Sequence, residues 1–193
     1  NVESIFDFIY ARSVWGGGSG AGSDVKVTVL YVAYVQALMD THDVRSVVDL
    51  GCGDWRFSRY LDFSGRNYIG FDVVPSVIAS NRNAFGASNI RFEHADVSAL
   101  TEFGPCDLIL CKDVLQHLPN ADVRFYTDIF RRNYLFFIIG NSVYPDANTN
   151  TDIPAGDCRS LRLDLPPFNL PCAVLQRWEI LEFGERVVKH YCL

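Results

Sequence analysis

Short apolar runs alternate with amphipathic stretches through the middle of the chain, and this alternation indicates the fold class. The apolar runs of strand length are Ser46 to Leu50, Tyr68 to Phe71, Ile90 to Phe92, Asp107 to Cys111 and Leu135 to Ile139. Helical candidates between these runs begin near Trp55, Pro75 and Ala121. Strands separated by helices predict a parallel sheet that is covered by helices on both faces.

The N-terminal part has a different pattern. Residues Val2 to Arg12 place Ile5, Phe8 and Ile9 at helical spacing and predict a first helix. The tract from Trp15 to Ser23 contains too many glycines for a helix interior and is predicted to be a loop. Ser23 stands at the N-cap position of a second predicted helix, which runs to about Thr41.

After Gly140 the alternation stops. The segment from Asn141 to Pro171 is rich in Asn, Asp and Pro, and it is either a site-forming insertion or an irregular connection. Two final apolar runs, Trp178 to Phe183 and Arg186 to Cys192, are separated by Gly184 and Glu185 and predict a terminal hairpin.

These elements predict one α/β domain with a doubly wound, mainly parallel seven-stranded sheet that ends in an antiparallel hairpin. All 193 residues belong to it. It divides into N-terminal helices and a glycine-rich loop (1–41), a ligand-binding core (45–140), and a loop with the terminal hairpin (141–193).

Composition excludes several partners. The net charge is -6 and the 17 Lys and Arg residues are scattered, so no basic stripe is available for a long nucleic acid. No apolar run approaches the roughly 20 residues that cross a bilayer, and we expect a soluble, cytoplasmic protein without membrane contacts. The six cysteines form no Cys-x-x-Cys pair, which favours buried free thiols in a reducing compartment over a metal site.

The strongest chemical motif is the buried strand Val47 to Leu50 followed by Gly51-Cys52-Gly53-Asp54. Glycines in such a turn let the backbone approach a ligand, and a helix that follows offers free N–H groups. A dinucleotide-binding turn that starts at Gly51 needs a third glycine at position 56, where this chain has Arg56. The motif therefore disfavours a pyrophosphate ligand.

Two acidic residues follow at positions that suit an adenosyl ligand. Asp72 ends the second strand about 20 residues after the turn, the spacing at which a carboxylate meets ribose hydroxyls. Asp96 follows the third strand, where a carboxylate can accept a hydrogen bond from an adenine amino group. Each alone is common in turns, whereas the two acids in order after a glycine turn indicate an adenosine site.

This series resembles the class I S-adenosylmethionine-dependent methyltransferase family of the small-molecule type, closely from Ser46 to Asn120. The resemblance implies a Rossmann-like methyltransferase fold, with S-adenosylmethionine as the cofactor and S-adenosylhomocysteine as its product. The cofactor-binding set expected here is Trp15, Ser19, Ser23, Asp49, Gly51, Cys52, Gly53, Asp72, Val73, Asp96, Val97 and Lys112. One departure is Trp55, which stands where many family members have a third glycine.

Two further segments contribute to the resemblance. The run from Cys106 to Pro119 matches the fourth motif, which lines the methyl-transfer site, and its Asp-Val-Leu-x-His-Leu sequence is typical of small-molecule methyltransferases. The N-terminal loop, with Trp15 and the run from Ser19 to Ser23, resembles a feature of some members. Its hydroxyls and N–H groups could hold the cofactor's carboxylate; the alternative is a linker with a serine cap.

Methyl transfer from a sulfonium is an in-line displacement that mainly requires alignment. His117 is the candidate base, although it could instead cap the turn or pack under the cofactor. Asp113 is the second catalytic candidate, and the alternative is that it anchors the following loop. Asp157 and Arg159 are candidate contacts to the acceptor; the alternative is a surface ion pair.

The predicted function is methyl transfer to the oxygen or nitrogen of a small-molecule acceptor. Two other classes stay open. One is a catalytically inactive methyltransferase-like binding or regulatory subunit. The other is a nucleotide-cofactor oxidoreductase, which Arg56 disfavours.

Overall fold

The computed structural model of the protein describes residues 1–96, 105–130, 136–144, 148–182 and 185–192. The helices are α1 (Val2–Ala11), α2 (Val25–Thr41), α3 (Pro75–Phe85) and α4 (Asn120–Phe130). The strands are β1 (Ser46–Leu50), β2 (Asn67–Asp72), β3 (Ile90–His94), β4 (Leu108–Lys112), β5 (Phe136–Val143), β6 (Val174–Glu182) and β7 (Glu185–Cys192).

The strands form one sheet in the order β3-β2-β1-β4-β5-β7-β6. Strands β1 to β5 run parallel to one another, and β7 pairs antiparallel with both β5 and β6. The predicted α/β class and mainly parallel sheet are confirmed. The turn of the predicted hairpin falls on residues 183 and 184, which lie outside the described residues.

The strand order determines where a ligand can bind. β1 lies between β2 and β4, so the chain reverses its direction of winding at β1. In open parallel sheets, ligands bind in the crevice beyond the carboxyl ends of the strands at such a reversal. The glycine turn after β1, Asp72 at the end of β2 and the turn after β4 therefore meet at one edge.

Two apolar clusters cover the two faces of the sheet. One face packs against α1, α4 and the segment 161–170; its members include Phe6, Ile9, Val48, Ile109, Val123, Phe130, Leu161 and Leu170. The other face packs against α2 and an aromatic group after β1; its members include Tyr31, Val35, Met39, Val47, Trp55, Tyr68, Phe92 and Leu110. Among the described residues, no helix is long and apolar enough to cross a membrane.

The helix predicted near Trp55 is absent, which makes that expectation wrong. The chain forms only a short 3-10 turn at Ser58–Tyr60. Trp55 has a left-handed φ of 55°, and its indole packs against Phe63 and Phe85. Burial of this large ring offsets the roughly 1 kcal/mol that a left-handed non-glycine residue costs.

Two smaller expectations also differ. Asp24, not Ser23, is the N-cap of α2, because its carboxylate accepts a hydrogen bond from Lys26 N at 2.9 Å. Among the cysteines that the structure describes, Cys52, Cys106 and Cys111 are buried free thiols as expected, whereas Cys158 is exposed.

Asp49 lies inside the sheet and is 4% exposed. Its carboxylate accepts hydrogen bonds from the Tyr68 hydroxyl at 2.8 Å and the Ser58 hydroxyl at 3.3 Å. Burial raises the pKa of Asp49 to about 6, and these two hydrogen bonds oppose the rise. Folding therefore disfavours the charged form of this side chain.

We expect Asp49→Asn to show this penalty in the pH dependence of stability. The folded pKa of about 6 exceeds the ordinary value of 3.8, so the wild-type protein loses stability as pH rises from about 4 through 6. The asparagine variant has no charge to bury. Between pH 4 and pH 6, the free energy of unfolding of the variant should therefore rise by about 3 kcal/mol relative to that of the wild type.

Urea unfolding at intervals between pH 4 and 7 measures the difference. In Tyr68→Phe, which removes a hydrogen bond that lowers the pKa of Asp49, the loss of stability should begin at the same pH but continue to higher pH and become larger. A constant offset between Asp49→Asn and the wild type at every pH would contradict the expectation.

Candidate functional site

A cavity opens at the carboxyl ends of β1, β2 and β4. Twelve predicted residues line it: Trp15, Ser19, Ser23, Gly51, Cys52, Gly53, Asp72, Val73, Asp96, Lys112, Asp113 and His117. Asp49 lies beneath the turn in the network described above. Val97 lies outside the described residues.

The cavity has further lining residues that the sequence analysis did not select: Val2, Phe6, Tyr10, Asp54, Phe57, Val114, Leu118 and Tyr126. Val2, Phe6 and Tyr10 are spaced four residues apart on α1, so their side chains lie on one face of the helix. This spacing could have predicted the face that lines the cavity. The sequence pattern instead suggested Phe8 as part of that face, and Phe8 is 58% exposed.

The glycine turn is tightly enclosed. Gly51 and Gly53 have φ values of 72° and 53°, which glycine adopts readily. A Cβ at Gly51 would overlap the side chain of Val114, and one at Gly53 would overlap the Ser19 hydroxyl. The N–H groups of residues 51 and 52 both donate to Phe71 O, at 2.8 and 3.0 Å. The turn is thus fixed from below by β2 and from the sides by two other segments.

Asp72 is 7% exposed and holds the turn from β2. One carboxylate oxygen accepts from Gly53 N at 2.9 Å, and the other accepts from Val74 N at 3.0 Å. Burial raises the pKa of Asp72, and these backbone hydrogen bonds oppose the rise. A carboxylate offers about four lone-pair sites, so Asp72 can also accept from a ligand hydroxyl beside these backbone contacts.

The N-terminal loop docks on the glycine turn through Ser19. Its hydroxyl accepts from Asp54 N and donates to the Asp54 carboxylate, both at 2.9 Å. The Tyr10 hydroxyl lies 2.7 Å from the same oxygen, and the Ser23 hydroxyl donates to Ser19 O at 3.2 Å. These contacts make the loop part of the cavity wall. That Ser19 and Ser23 hold a cofactor carboxylate stays a prediction.

The turn after β4 carries both catalytic candidates. Lys112 is 7% exposed; its ammonium donates to Gly22 O at 2.8 Å and forms an ion pair with Asp113. Asp113 has a left-handed φ of 57°, and its N–H donates to Gly140 O at 2.8 Å. These contacts fix Asp113 in the turn and link the turn to the N-terminal loop.

His117 follows in the 3-10 turn Leu115–His117. Its Nδ1 lies 2.9 Å from Asp157 O, and the ring packs against Trp15 with centroids 5.0 Å apart. A second cavity shares four residues with the first: Trp15, Ser19, Asp113 and His117. Its other lining residues are Gly20, Ala21, Gly22, Gln116, Tyr144 and Cys158. His117 therefore stands at the junction of two cavities.

Arg159 and Asp157, the expected acceptor contacts, are not among the lining residues of either cavity. The Arg159 guanidinium is buried and donates to Leu118 O at 2.5 Å and Leu115 O at 3.5 Å. Burial lowers the pKa of Arg159. The structure thus gives this cation a role in fixing the turn that carries His117. Asp157 contributes its carbonyl to that histidine, while its side chain is exposed.

Trp55, which replaces a third glycine found in many family members, does not line the cavity. The indole lies in the aromatic cluster on the α2 face and is absent from the lining of both cavities. In the part of the chain that the structure describes, no three His, Cys, Asp or Glu side chains are grouped as metal ligands.

Comparison with known proteins agrees with this geometry. Residues 47–132 match the family model described as a methyltransferase domain. The chain is 25% identical over 134 residues to a ubiquinone biosynthesis O-methyltransferase of Bordetella avium, covering 59% of this chain and 56% of that protein. It is 32% identical over 85 residues to an uncharacterized methyltransferase of Schizosaccharomyces pombe, covering 42% and 59%. The chain thus spans little more than half the length of these curated relatives.

The fold is shared with solved methyltransferases. The 1,6-didemethyltoxoflavin-N1-methyltransferase of Burkholderia thailandensis, solved with 1,6-didemethyltoxoflavin and S-adenosylhomocysteine, superposes with a TM-score of 0.66 at 18% identity. The match covers 99% of this chain and 86% of that one. The resemblance seen in the sequence is thereby confirmed for this segment: residues 47–132 match a methyltransferase domain, and the chain shares its fold with a methyltransferase solved with S-adenosylhomocysteine.

Proposed function

We propose that the chain transfers the methyl group of S-adenosylmethionine to the oxygen or nitrogen of a small-molecule acceptor. The observation that carries this proposal is the single cavity in which the glycine turn, Asp72 and Asp96 share a wall with Asp113 and His117. Adenosine-binding chemistry and a candidate base are thus brought into one space, as methyl transfer requires.

The residues present fit the cofactor. Asp72 has lone pairs available for the ribose hydroxyls, and Asp96 is a half-buried carboxylate at the end of the next strand. The glycine turn lines the same cavity, and Gly51 and Gly53 have left-handed φ values that glycine adopts readily. When bound, the cofactor supplies a methyl group on a positively charged sulfur.

The second cavity is the proposed acceptor site. It meets the cofactor cavity at His117 and Asp113, so an acceptor there would lie beside both candidates. Asp113 is already engaged by Lys112, which supports a role for it in anchoring the turn. His117 is therefore the proposed base. The lining side chains Gln116, Tyr144 and Cys158 support a small polar acceptor, such as a phenol or an amine.

One prediction of this function concerns the glycine turn. In Gly53→Ala the new Cβ overlaps the Ser19 hydroxyl, so affinity for S-adenosylhomocysteine should fall by more than about tenfold. Gly65→Ala is a matched control, since its φ of 70° produces similar backbone strain while the nearest atom to the new Cβ is 3.8 Å away.

Titration calorimetry on both variants measures the affinity, and urea unfolding measures their loss of stability. Backbone strain should cost each variant roughly 1 kcal/mol of stability, and the overlap with Ser19 should add to this loss in Gly53→Ala. Only Gly53→Ala should lose binding. Equal affinities in the two variants would rule out a cofactor seated on this turn.

A second experiment tests methyl transfer itself. The protein is incubated with S-adenosylmethionine and a panel of small phenols and amines, and methylated products are detected by mass spectrometry. With an accepted substrate, His117→Ala should lower kcat by about 10²- to 10⁴-fold because the base is missing, while the affinity for S-adenosylhomocysteine stays within twofold.

The outcomes separate the three functional classes. Tight binding of S-adenosylhomocysteine without any methylated product would favour a binding or regulatory subunit. Binding of a nicotinamide cofactor in its place would favour an oxidoreductase. A His117→Ala enzyme with an unchanged rate and pH profile would remove the histidine from the reaction.

A further inference from the structure

The side chain of Gln116 lies next to His117 and has a fixed orientation. Gln116 is 4% exposed, and its Oε1 is 2.6 Å from the backbone nitrogen of Ser142 on β5. A backbone N–H can only donate, so the amide atom that faces it is the oxygen. The amide nitrogen of Gln116 is therefore the atom directed to the other side, 3.4 Å from His117 Nε2.

This arrangement restricts the protonation of the imidazole. An amide NH₂ group can only donate, so Nε2 presents its lone pair to Gln116. On the opposite side of the ring, Nδ1 lies 2.9 Å from Asp157 O, a carbonyl that can only accept. Nδ1 must then carry the hydrogen. The two contacts independently specify the same species, a neutral imidazole with its hydrogen on Nδ1.

The carbonyl that fixes Nδ1 is itself held in place. Gly156 N donates to His117 O at 2.9 Å, and Arg159 N donates to Gln116 O at 3.2 Å. The buried guanidinium of Arg159 binds two more carbonyls of the same turn. Four hydrogen bonds therefore join the segment around Asp157 to the turn around His117, and they hold the imidazole in its orientation.

We propose that Gln116 is a positioning residue that holds His117 in the neutral Nδ1–H tautomer, so that Nε2 accepts the proton of a hydroxyl acceptor bound in the second cavity. The proposal deepens the methyl-transfer function and rests on it. Both side chains line that cavity. At 3.4 Å the Gln116 contact is long, so an approaching hydroxyl can replace it at the Nε2 lone pair.

The proton and electron balance is simple. The acceptor oxygen forms a bond to the methyl carbon while the bond from that carbon to sulfur breaks and leaves a neutral thioether. The O–H bond breaks, and its proton moves to Nε2. His117 becomes an imidazolium that keeps its Nδ1 hydrogen bond to Asp157 O, and it later releases the proton to water.

The test uses Gln116→Glu, which has the same shape. One carboxylate oxygen can still accept from Ser142 N, so the structural contact survives. The other oxygen now faces Nε2 as an acceptor and requires a hydrogen there. The variant should therefore convert His117 to the Nε2–H tautomer or to the imidazolium, and either form removes the base.

Nitrogen-15 NMR of histidine-labelled protein reads the tautomer directly, with the His117 signals assigned by their loss in His117→Asn. In the wild type, in its neutral form, Nδ1 should give a protonated-type signal and Nε2 an unprotonated-type signal. In Gln116→Glu, Nε2 should become protonated. Gln36→Glu is the control, because this glutamine also accepts from a backbone nitrogen, that of Asp62, and lies on α2 away from both cavities.

Activity adds the second readout. With an accepted hydroxyl substrate, Gln116→Glu should lower kcat by at least about tenfold, while its affinity for S-adenosylhomocysteine and the kcat of Gln36→Glu stay within twofold. A wild-type His117 in the Nε2–H form would overturn the tautomer assignment, and unchanged NMR signals in Gln116→Glu would overturn the positioning role of Gln116. A full kcat in Gln116→Glu would overturn the role of Nε2.

The NMR result does not depend on turnover. If the expected tautomer is found and no acceptor is methylated, the proposed function fails while the assignment of the imidazole stands. If methylation occurs and the tautomer is the other one, the function stands and the inference about Gln116 fails.

Discussion

The other segments of the site are positioned by their contacts with the turn after β1. Gly53 donates its N–H to Asp72 from β2, and the adjacent Asp54 N donates to the Ser19 hydroxyl of the N-terminal loop. Val114, from the turn after β4, occupies the space beside Gly51. Three segments far apart in sequence thus contact the four residues from Gly51 to Asp54, and these contacts fix the backbone of the turn. A change in this turn is transmitted to both walls of the cavity.

Buried charges in this protein bind mainly to backbone atoms. Asp72 accepts from two backbone N–H groups, Lys112 donates to Gly22 O, and Arg159 donates to two carbonyls of the turn that carries His117. A charge-assisted hydrogen bond to the main chain fixes the path of the chain itself. Rigid backbone around the cavity fits the proposed displacement reaction, in which alignment of the reactants is the main requirement.

The sequence predicted the parts of the site whose chemistry is local. A strand followed by glycines, and an acid at the end of a strand, are recognisable within a few residues, and Gly51, Gly53 and Asp72 line the cavity as expected. Residues whose roles depend on long-range packing were not predictable in this way. Trp55 interrupts an expected helix because its ring joins a distant aromatic cluster, and Arg159 is turned inward by carbonyls some 40 positions earlier in the chain.

Trp15 contacts both halves of the cavity wall. Its indole packs against Phe6 and Tyr10 of α1 on one side and against His117 on the other. Trp55, by contrast, is enclosed in the aromatic cluster on the opposite face of the sheet. Of the three tryptophans in the chain, Trp15 is therefore the ring whose emission should respond to a ligand in these cavities, while Trp55 lies outside both.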